Sequence, residues 1–247
     1  MSITWNLWHG CHKLSPGCAN CYVYRTDTKH GRDPAVVQKT GQFSLPVRKK
    51  RNGSYAIGPG EVVYTCFTSD FLLPDADEWR PEAWEMIRQR QDLTFLFITK
   101  RIDRLSVCLP SGWGDGWDNV VVGCTVENQE RAAARVPLFM DAPIRHKFLA
   151  CEPLLEALDL TPWLGGWLEL VMAGGESGQM ARICDYEWVR SLRRQCEAAG
   201  VAFHFKQTGA RFRKDGRLYA VPRPEQHRQA ARAGIDWTPA GMPERQW

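Results

Sequence analysis

The chain of 247 residues has no long hydrophobic run and no strong excess of one charge. No stretch approaches the ~18–20 uninterrupted apolar residues of a membrane span, and the N-terminus does not show the basic-then-apolar pattern of a secretory signal. These absences argue against a membrane protein and predict a cytoplasmic location. Internal repeats and low-complexity tracts are also missing, so the length allows one barrel-sized domain or two small ones.

Cysteine, by contrast, is present in a pattern that carries chemistry. Nine cysteines in a reducing compartment argue against a disulfide framework, and three of them, Cys11, Cys18 and Cys21, have the spacing C-x6-C-x2-C. Pro16 and Gly17 predict a tight turn that brings the three sulfurs together. Four thiolates close a structural zinc or iron–sulfur site, whereas three leave one metal position open for a reacting ligand. The pattern therefore predicts a metal centre with an open position.

Apolar runs that alternate with helical patterns predict a mainly parallel α/β fold. The runs are continuous rather than alternating, as in parallel strands covered on both faces. Helices are predicted at residues 81–90, 129–136 and 185–199, the last capped by Asp185 and ended by Gly200. Strand–helix alternation indicates βαβ units. The predicted strands are residues 3–5, 62–67, 93–98, 120–124, 147–150, 168–173 and 201–205.

Two segments break this rhythm, and both are basic. Residues 22–60 are interpreted as an insertion, and residues 209–247 as an irregular C-terminal extension packed on the same domain. Such patches suit a polyanion, although a solvated basic surface is the alternative. The basic side chains are Arg48, Lys49, Lys50 and Arg51 in the first segment, and Lys206, Arg211, Arg213, Lys214, Arg217, Arg223, Arg228 and Arg232 around the second.

Polar or ionisable residues follow six of the predicted strands. In a barrel of parallel strands these carboxyl ends form one mouth, where enzymes on such scaffolds place their sites. The cysteine loop follows the first strand, so we expect it at the same mouth. The strand-end residues are Ser69 and Asp70, Lys100 and Arg101, Glu127 and Asn128, Glu152, Gly174 to Glu176, and Lys206 and Gln207.

This mouth offers the groups that S-adenosylmethionine (SAM) would need beside a [4Fe–4S] cluster. Three thiolates can hold three irons, and the amino and carboxylate groups of SAM can chelate the fourth. One electron from the cluster would then cleave SAM to a 5′-deoxyadenosyl radical. The assigned residues are Ser69 and Asp70 for the ammonium group, Lys100 or Arg101 for the carboxylate, Glu127 or Asn128 for the ribose, and Gly174, Gly175 and Glu176 for close backbone approach.

Several short motifs follow one another along the chain. They are W-N-x-W-x-G-C…S-P-G-C-x-N-C-Y at the start, T-K-R at 99–101, V-E-N at 126–128, C-E-P-L at 151–154 and G-G-E-S-G at 174–178. Through these motifs residues 3–209 resemble the phage-associated three-Cys-motif family, which is regarded as radical SAM-like. The resemblance implies a partial (β/α)6-type TIM barrel over residues 1–208, with a cluster loop at 9–22, and Cys11, Cys18 and Cys21 as the cluster ligands.

The resulting interpretation is a radical SAM enzyme with a flavodoxin- or ferredoxin-like electron donor. The basic segments and the phage association favour a nucleic-acid base or nucleotide as the substrate, for modification or repair, and the interpretation also admits a partner protein that presents it. The alternative is a non-catalytic nucleic-acid-binding protein stabilised by a cluster or by zinc, with His9 or His12 as a fourth zinc ligand.

Two further interpretations stay open. A glycoside hydrolase would find its carboxylate pair among Glu127, Glu152 and Glu176. The thiols of Cys66, Cys124 and Cys151 are either core side chains or hydrogen-atom donors.

Overall fold

A computed structural model describes residues 3–242 of the chain; residues 1, 2 and 243–247, the last five being part of the predicted extension, lie outside the described residues. The strands are β1 (Ile3–Trp5), β2 (Trp8–His9), β3 (Gln38–Lys39), β4 (Val62–Thr65), β5 (Thr94–Thr99), β6 (Val120–Thr125), β7 (His146–Cys151), β8 (Leu170–Gly174), β9 (Cys184–Asp185), β10 (Ala202–Gln207), β11 (Arg211–Lys214) and β12 (Arg217–Ala220). The α-helices are α1 (Tyr22–Lys29), α2 (Arg80–Gln89), α3 (Leu105–Cys108), α4 (Gln129–Asp141), α5 (Tyr186–Ala199) and α6 (Arg223–Arg232).

Seven strands form one parallel sheet that curls into a half-barrel. Their order is β1-β4-β5-β6-β7-β8-β10, and every neighbouring pair is parallel. Each of the seven predicted apolar runs is a strand of this sheet. The prediction of a mainly parallel α/β fold is therefore confirmed.

Burial on both faces of the sheet explains why the apolar runs are continuous. In β5, Phe95 belongs to the main core with the helices, whereas Leu96 packs with Val121 and Phe148 in a smaller cluster on the opposite face. Gly123 leaves room for the Phe148 ring, because an added Cβ would lie 2.3 Å from it. The concave side of the half-barrel is thus filled by side chains, as in closed barrels.

The predicted helices are also present. Asp185 caps α5 by accepting a hydrogen bond from the Glu187 N–H, and Gly200 ends it in the left-handed conformation with φ of 69°. Helices α2 and α4 match the other two predictions, although α4 continues beyond residue 136 to Asp141. Within residues 3–242, no helix has the length and apolarity needed to cross a bilayer.

Two regions contain more regular structure than predicted. Helix α1 starts directly after Cys21, inside the predicted insertion. Residues 209–242 include the antiparallel hairpin β11–β12 and helix α6, so the prediction of an irregular extension was wrong for this part. The extension lies against β10: the Thr208 N–H donates to the Gln226 carbonyl, and Phe203 pairs with Trp237.

Candidate functional site

A cavity of about 290 Å³ lies at the carboxyl ends of the parallel strands. All three loop cysteines line it, and so do predicted site residues that follow several different strands. Three other predicted site residues, Gly174, Glu127 and Asn128, do not line it. The predicted residues in its wall are Cys11, Cys18, Cys21, Ser69, Asp70, Lys100, Gly175 and Glu176, joined by Arg101, Glu152, Lys206 and Gln207.

Glu127 anchors the turn of the cysteine loop. Its fully buried carboxylate accepts hydrogen bonds from the Ser15 hydroxyl and, at 3.2 Å, from the Gly17 N–H. Arg135 Nη1 pairs with the other carboxylate oxygen at 2.8 Å. Burial acts to raise the pKa of Glu127, but the Ser15 hydrogen bond and the Arg135 charge outweigh it, so this pKa lies below its ordinary value. An ionised carboxylate therefore holds the loop from beneath.

Asn128, the second residue assigned to the ribose, is a helix cap. Its side-chain oxygen accepts a hydrogen bond from the Arg131 N–H at 3.0 Å, at the start of α4. Glu127 and Asn128 therefore both form hydrogen bonds within the chain, and neither lines the cavity.

Glu176 anchors the loop at a second point, between Cys18 and Cys21. It accepts hydrogen bonds from Asn20 Nδ2 at 2.9 Å and from Arg182 Nη2 at 2.6 Å. Burial acts to raise the pKa of Glu176, yet the hydrogen bonds from Arg182 and Asn20 bring it below its ordinary value. The other side of the loop is thus tied to the end of β8.

Arg101 provides a third anchor, at the start of the loop. Its Nη2 donates to the His12 carbonyl at 2.7 Å, and its Nη1 lies 3.8 Å from the Cys11 sulfur. The same Nη1 is 3.2 Å from Asp70 Oδ2, and both side chains are buried. A guanidinium held by a carboxylate therefore fixes the backbone beside Cys11.

The two residues assigned to the SAM ammonium group are also engaged within the chain. The Ser69 hydroxyl donates to the Gly10 carbonyl at 2.5 Å. Both residues line the cavity, but their polar atoms help to hold the loop. The Asp70 carboxylate, which is only 4% exposed, accepts hydrogen bonds from Leu72 N, Thr99 Oγ1, Lys100 N and Arg101 Nη1.

The cysteines of the loop differ in their electrostatic surroundings. Burial raises the pKa of Cys11 to about 11, although the Arg101 charge opposes this. Burial also acts to raise the pKa of Cys18, but the Lys100 charge and hydrogen bonds within the loop bring it below its ordinary value. Cys18 is therefore the more easily ionised of these two thiols.

In the described part of the chain, the candidate metal ligands do not form a site for a single ion. Within residues 3–242, no three His, Cys, Asp or Glu side chains converge as ligands of a single ion would. The three thiols instead share the wall of one cavity, and thiolates are the ligands that iron–sulfur clusters use. The residues fit a cluster by their chemistry, and the cluster itself stays a prediction. His9 and His12 contact carboxylates, with His9 Nε2 2.6 Å from Asp27 and His12 Nε2 2.7 Å from Asp75.

An ion pair in the cavity wall joins two strand-end residues that were predicted to lie at the mouth but were not assigned to SAM. Lys206 Nζ donates to Glu152 Oε2 at 2.7 Å, and both residues line the cavity. The Glu152 Oε1 atom is buried and has no hydrogen-bond partner in the described part of the chain. The signal available was position, because both residues follow strands of the sheet. The Glu152 carboxylate is thus held between Lys206 and the Gly174 backbone at the cavity wall.

The carboxylates do not suit glycoside hydrolysis. That reaction needs an acid with a raised pKa, whereas the pKa values of Glu127 and Glu176 are both lowered. Glu127 and Glu176 are each held by an arginine and by the cysteine loop. Glu152, which is paired with Lys206, is then left without a second carboxylate for the reaction.

Among the three buried thiols considered, only Cys66 lines the cavity. Its backbone has φ of 63°, a left-handed conformation that residues other than glycine rarely adopt. Burial raises the pKa of Cys66 well above its ordinary value, so the thiol keeps its proton. Cys124 and Cys151 are fully buried in the sheet.

The Gly174-Gly175 pair allows a close approach of other strand ends of the same chain. A Cβ on Gly174 would lie 2.2 Å from Glu152 Oε1, and one on Gly175 would lie 2.2 Å from the Thr208 carbonyl oxygen. The close approach predicted for a ligand is therefore an approach between strand ends.

We expect Gly175→Ala to lower the free energy of unfolding by about 1–3 kcal/mol, because the opposing Thr208 carbonyl is backbone and cannot turn away. Gly166→Ala is the matched control, since no atom lies within 4 Å of its added Cβ; it should change stability by less than about 0.5 kcal/mol. Urea unfolding followed by circular dichroism measures both, and equal stability of the two variants would contradict the close packing.

Fold and site together define an α/β protein whose parallel half-barrel carries a cysteine-lined cavity at the carboxyl ends of its strands. The chain belongs to the family described as "Protein of unknown function (DUF5131)", which matches residues 1–238. No curated protein and no solved structure is significantly similar to it. The family match includes the hairpin and α6 as well as the sheet.

Proposed function

We propose that this protein is a radical SAM-like enzyme in which Cys11, Cys18 and Cys21 hold a [4Fe–4S] cluster and SAM binds in the same cavity. The observation that carries the proposal is that all three cysteines share one cavity with polar side chains at the carboxyl ends of a parallel half-barrel. When bound, the cluster would supply one electron, received from a flavodoxin- or ferredoxin-like donor, for the reductive cleavage of SAM. The parallel half-barrel supports this arrangement, and we take it to be a partial barrel of the radical SAM kind, as the three-Cys-motif resemblance implies.

The loop is held ready for such a group. Arg101, Glu127 and Glu176 fix it at its start, at its turn and between the last two cysteines. A site whose ligands are positioned before binding loses less conformational freedom on binding. The anchors thus support a loop that presents ligands rather than a flexible surface segment.

Two side chains of the wall are assigned to SAM. Lys100 lines the cavity, and no carboxylate in residues 3–242 forms an ion pair with its ammonium group, so it can bind the carboxylate of SAM. Glu152 lines the cavity and Glu127 does not, so the Glu152 carboxylate is better placed to accept hydrogen bonds from ligand hydroxyl or ammonium groups.

The proposed substrate is a nucleic-acid base or nucleotide, which would be modified or repaired by hydrogen abstraction. Basic side chains near the C-terminus support this choice, because a polyanion would be attracted to them. Unactivated C–H bonds of a base are targets that warrant radical chemistry. The remaining candidate from another class is a metal-stabilised nucleic-acid-binding protein without catalysis.

The test is reconstitution of the protein without oxygen, followed by reduction with dithionite and addition of SAM. We expect about four irons per chain and formation of 5′-deoxyadenosine. Cys18→Ala should lose both. Cys108→Ala is the matched control, because Cys108 lies in α3 and does not line the cavity; it should retain both.

Three other results would each contradict a different part of the proposal. One zinc per chain without SAM cleavage would replace the enzyme with the non-catalytic alternative. Iron and sulfide without 5′-deoxyadenosine would leave the cluster in place but remove SAM chemistry. Identical iron content in Cys18→Ala and Cys108→Ala would show that the loop cysteines do not bind the metal.

A further inference from the structure

A second cavity, of about 480 Å³, lies between the β11–β12 hairpin, α6 and the end of β10. It shares no lining residue with the cysteine-lined cavity, but the two meet along one strand end. Phe205 and Thr208 line the second cavity, whereas Lys206 and Gln207 between them line the first. The end of β10 therefore separates the two cavities, and a molecule bound at the hairpin would lie across this strand end from the proposed reaction site.

Aromatic rings form one part of the second cavity. Phe212 and Tyr219 are directly opposite each other in the hairpin, so they share one face of it. Phe212 is stacked with Phe205 at 6.0 Å between ring centroids and meets the edge of Tyr186 at 5.7 Å. Tyr219 is 41% exposed. The cavity thus offers a flat, apolar wall with an accessible ring at its mouth.

Cations on the same face of the hairpin have no counter-charge. Lys214 and Arg217 are directly opposite each other, an arrangement that destabilises a hairpin when both are charged alike. They lie over the rings of Tyr186 and Tyr219, at 5.2 and 5.7 Å, and form no ion pair within residues 3–242. By contrast, Arg213 on the opposite face is paired with a carboxylate.

The rest of the cavity adds to this positive charge. Arg232 of α6 lines it and likewise has no carboxylate partner in the described chain. The carboxylate in the lining, Glu225, is already paired with Arg228 at 2.7 Å. The cavity therefore combines an apolar ring surface with cations that lack an anion.

We infer that the second cavity binds a nucleotide, with the base against the aromatic rings. The phosphate would be held by Lys214 and Arg232 of the lining and by Arg217, which lies outside the lining, over the Tyr219 ring. Bases stack on exposed aromatic side chains, and phosphates bind lysine and arginine side chains that have no other counter-charge. The inference rests on the nucleic-acid part of the proposed function and is independent of the cluster. The nucleotide can be free or an unpaired residue of a strand, and the same chemistry serves both.

The test uses fluorescence anisotropy of a short fluorescein-labelled single-stranded oligothymidylate, with thymidine 5′-monophosphate as a competitor. We expect Lys214→Ala/Arg217→Ala to raise the Kd about tenfold and to reduce the slope of log K against log salt by about 0.7, for the one phosphate that is no longer neutralised. Tyr219→Ala should also raise the Kd about tenfold, whereas Tyr219→Phe keeps the ring and should stay within about twofold.

The matched control is Arg211→Ala/Arg223→Ala, which removes the same charge from two exposed positions of the same region that lie outside the cavity lining and pair with no carboxylate in residues 3–242. An equal loss of affinity in this control would show general surface attraction and overturn the inference, as would absence of binding or insensitivity to the hairpin variants. Competition by the monophosphate with the same dependence on Tyr219 identifies a free nucleotide as the ligand, and binding of the strand alone identifies an unpaired residue.

Binding is read without SAM turnover, on protein with and without reconstitution. Lost binding therefore leaves a positive 5′-deoxyadenosine result standing, and lost SAM cleavage leaves a positive binding result standing. Circular dichroism of each variant confirms that the fold is retained.

Discussion

Glu127→Gln is expected to lower the free energy of unfolding by about 3 kcal/mol and to reduce the iron bound after reconstitution. The substitution keeps the volume of the side chain but removes its charge. Arg135, whose side chain is 6% exposed, would then be a buried cation without its carboxylate. Urea unfolding of the metal-free protein measures the first effect, and iron analysis of the reconstituted protein measures the second.

A double variant separates stability from loop anchoring. In Glu127→Leu/Arg135→Met both charges are replaced by apolar groups, which often restores stability where a buried pair has been broken. Ser15 and Gly17 would still lack their acceptor, so iron binding should remain low. Recovery of iron together with stability would contradict the anchoring role. Glu130→Gln, at an exposed ion pair with Arg131, is the control and should change stability by less than about 0.5 kcal/mol.

The effect of Glu127 on stability should depend on pH in a defined direction. Because its pKa in the folded protein is lowered, its contribution is fully present above the ordinary glutamate pKa of about 4.3. That contribution is lost as the pH falls through the lowered pKa of the folded state. The difference in unfolding free energy between the wild type and Glu127→Gln should therefore be constant near neutrality and shrink in acid.

The sheet could be predicted from the sequence because burial on two faces leaves a strong signal. A strand such as β6 is buried at every position, so its apolar run cannot be mistaken for a surface segment. Helix α6 has no comparable signal, since Gln226 and Ala230 are its buried residues and most of the others are polar or charged. Its position depends on packing against β10, which composition does not reveal.

The hairpin did carry a local signal. Asp215 and Gly216, both with positive φ, form the two-residue turn that favours Asp-Gly. Four of the eight residues in the flanking strands are basic, and these made the segment resemble a charged tail. Turn chemistry was the more informative observation at this place.

The position of the site was predictable, but the partners of its side chains were not. Strand order alone brings the polar strand ends to one mouth. Whether a carboxylate there meets a ligand or another part of the chain depends on how a distant loop packs: Glu127 and Ser15 are 112 positions apart, and Glu176 and Asn20 are 156 apart. Carboxylates serve either purpose with the same chemistry, so residue type and position could not distinguish them.

Asp70→Ala is expected to reduce iron binding and SAM cleavage together, and to lower the free energy of unfolding by about 3 kcal/mol. The Asp70 carboxylate is buried beside Arg101, and Arg101 contacts the His12 carbonyl and the Cys11 sulfur. Without the carboxylate, a buried guanidinium loses its counter-charge and the start of the loop loses its support. Iron and sulfide analysis after reconstitution, alongside urea unfolding, measures these effects.

The sequence-based assignment of Asp70 to the SAM ammonium group predicts a different pattern, in which iron is retained and only SAM cleavage is lost. Arg101→Lys decides between the two, because lysine keeps the positive charge but cannot reproduce the forked contacts of a guanidinium. Asp118→Ala, at a 77% exposed carboxylate paired with Arg145, controls for loss of an aspartate. Loss of iron in both Asp70→Ala and Arg101→Lys would show that Asp70 acts through the cysteine loop. Retention of iron in both variants would support the assignment of Asp70 to the SAM ammonium group.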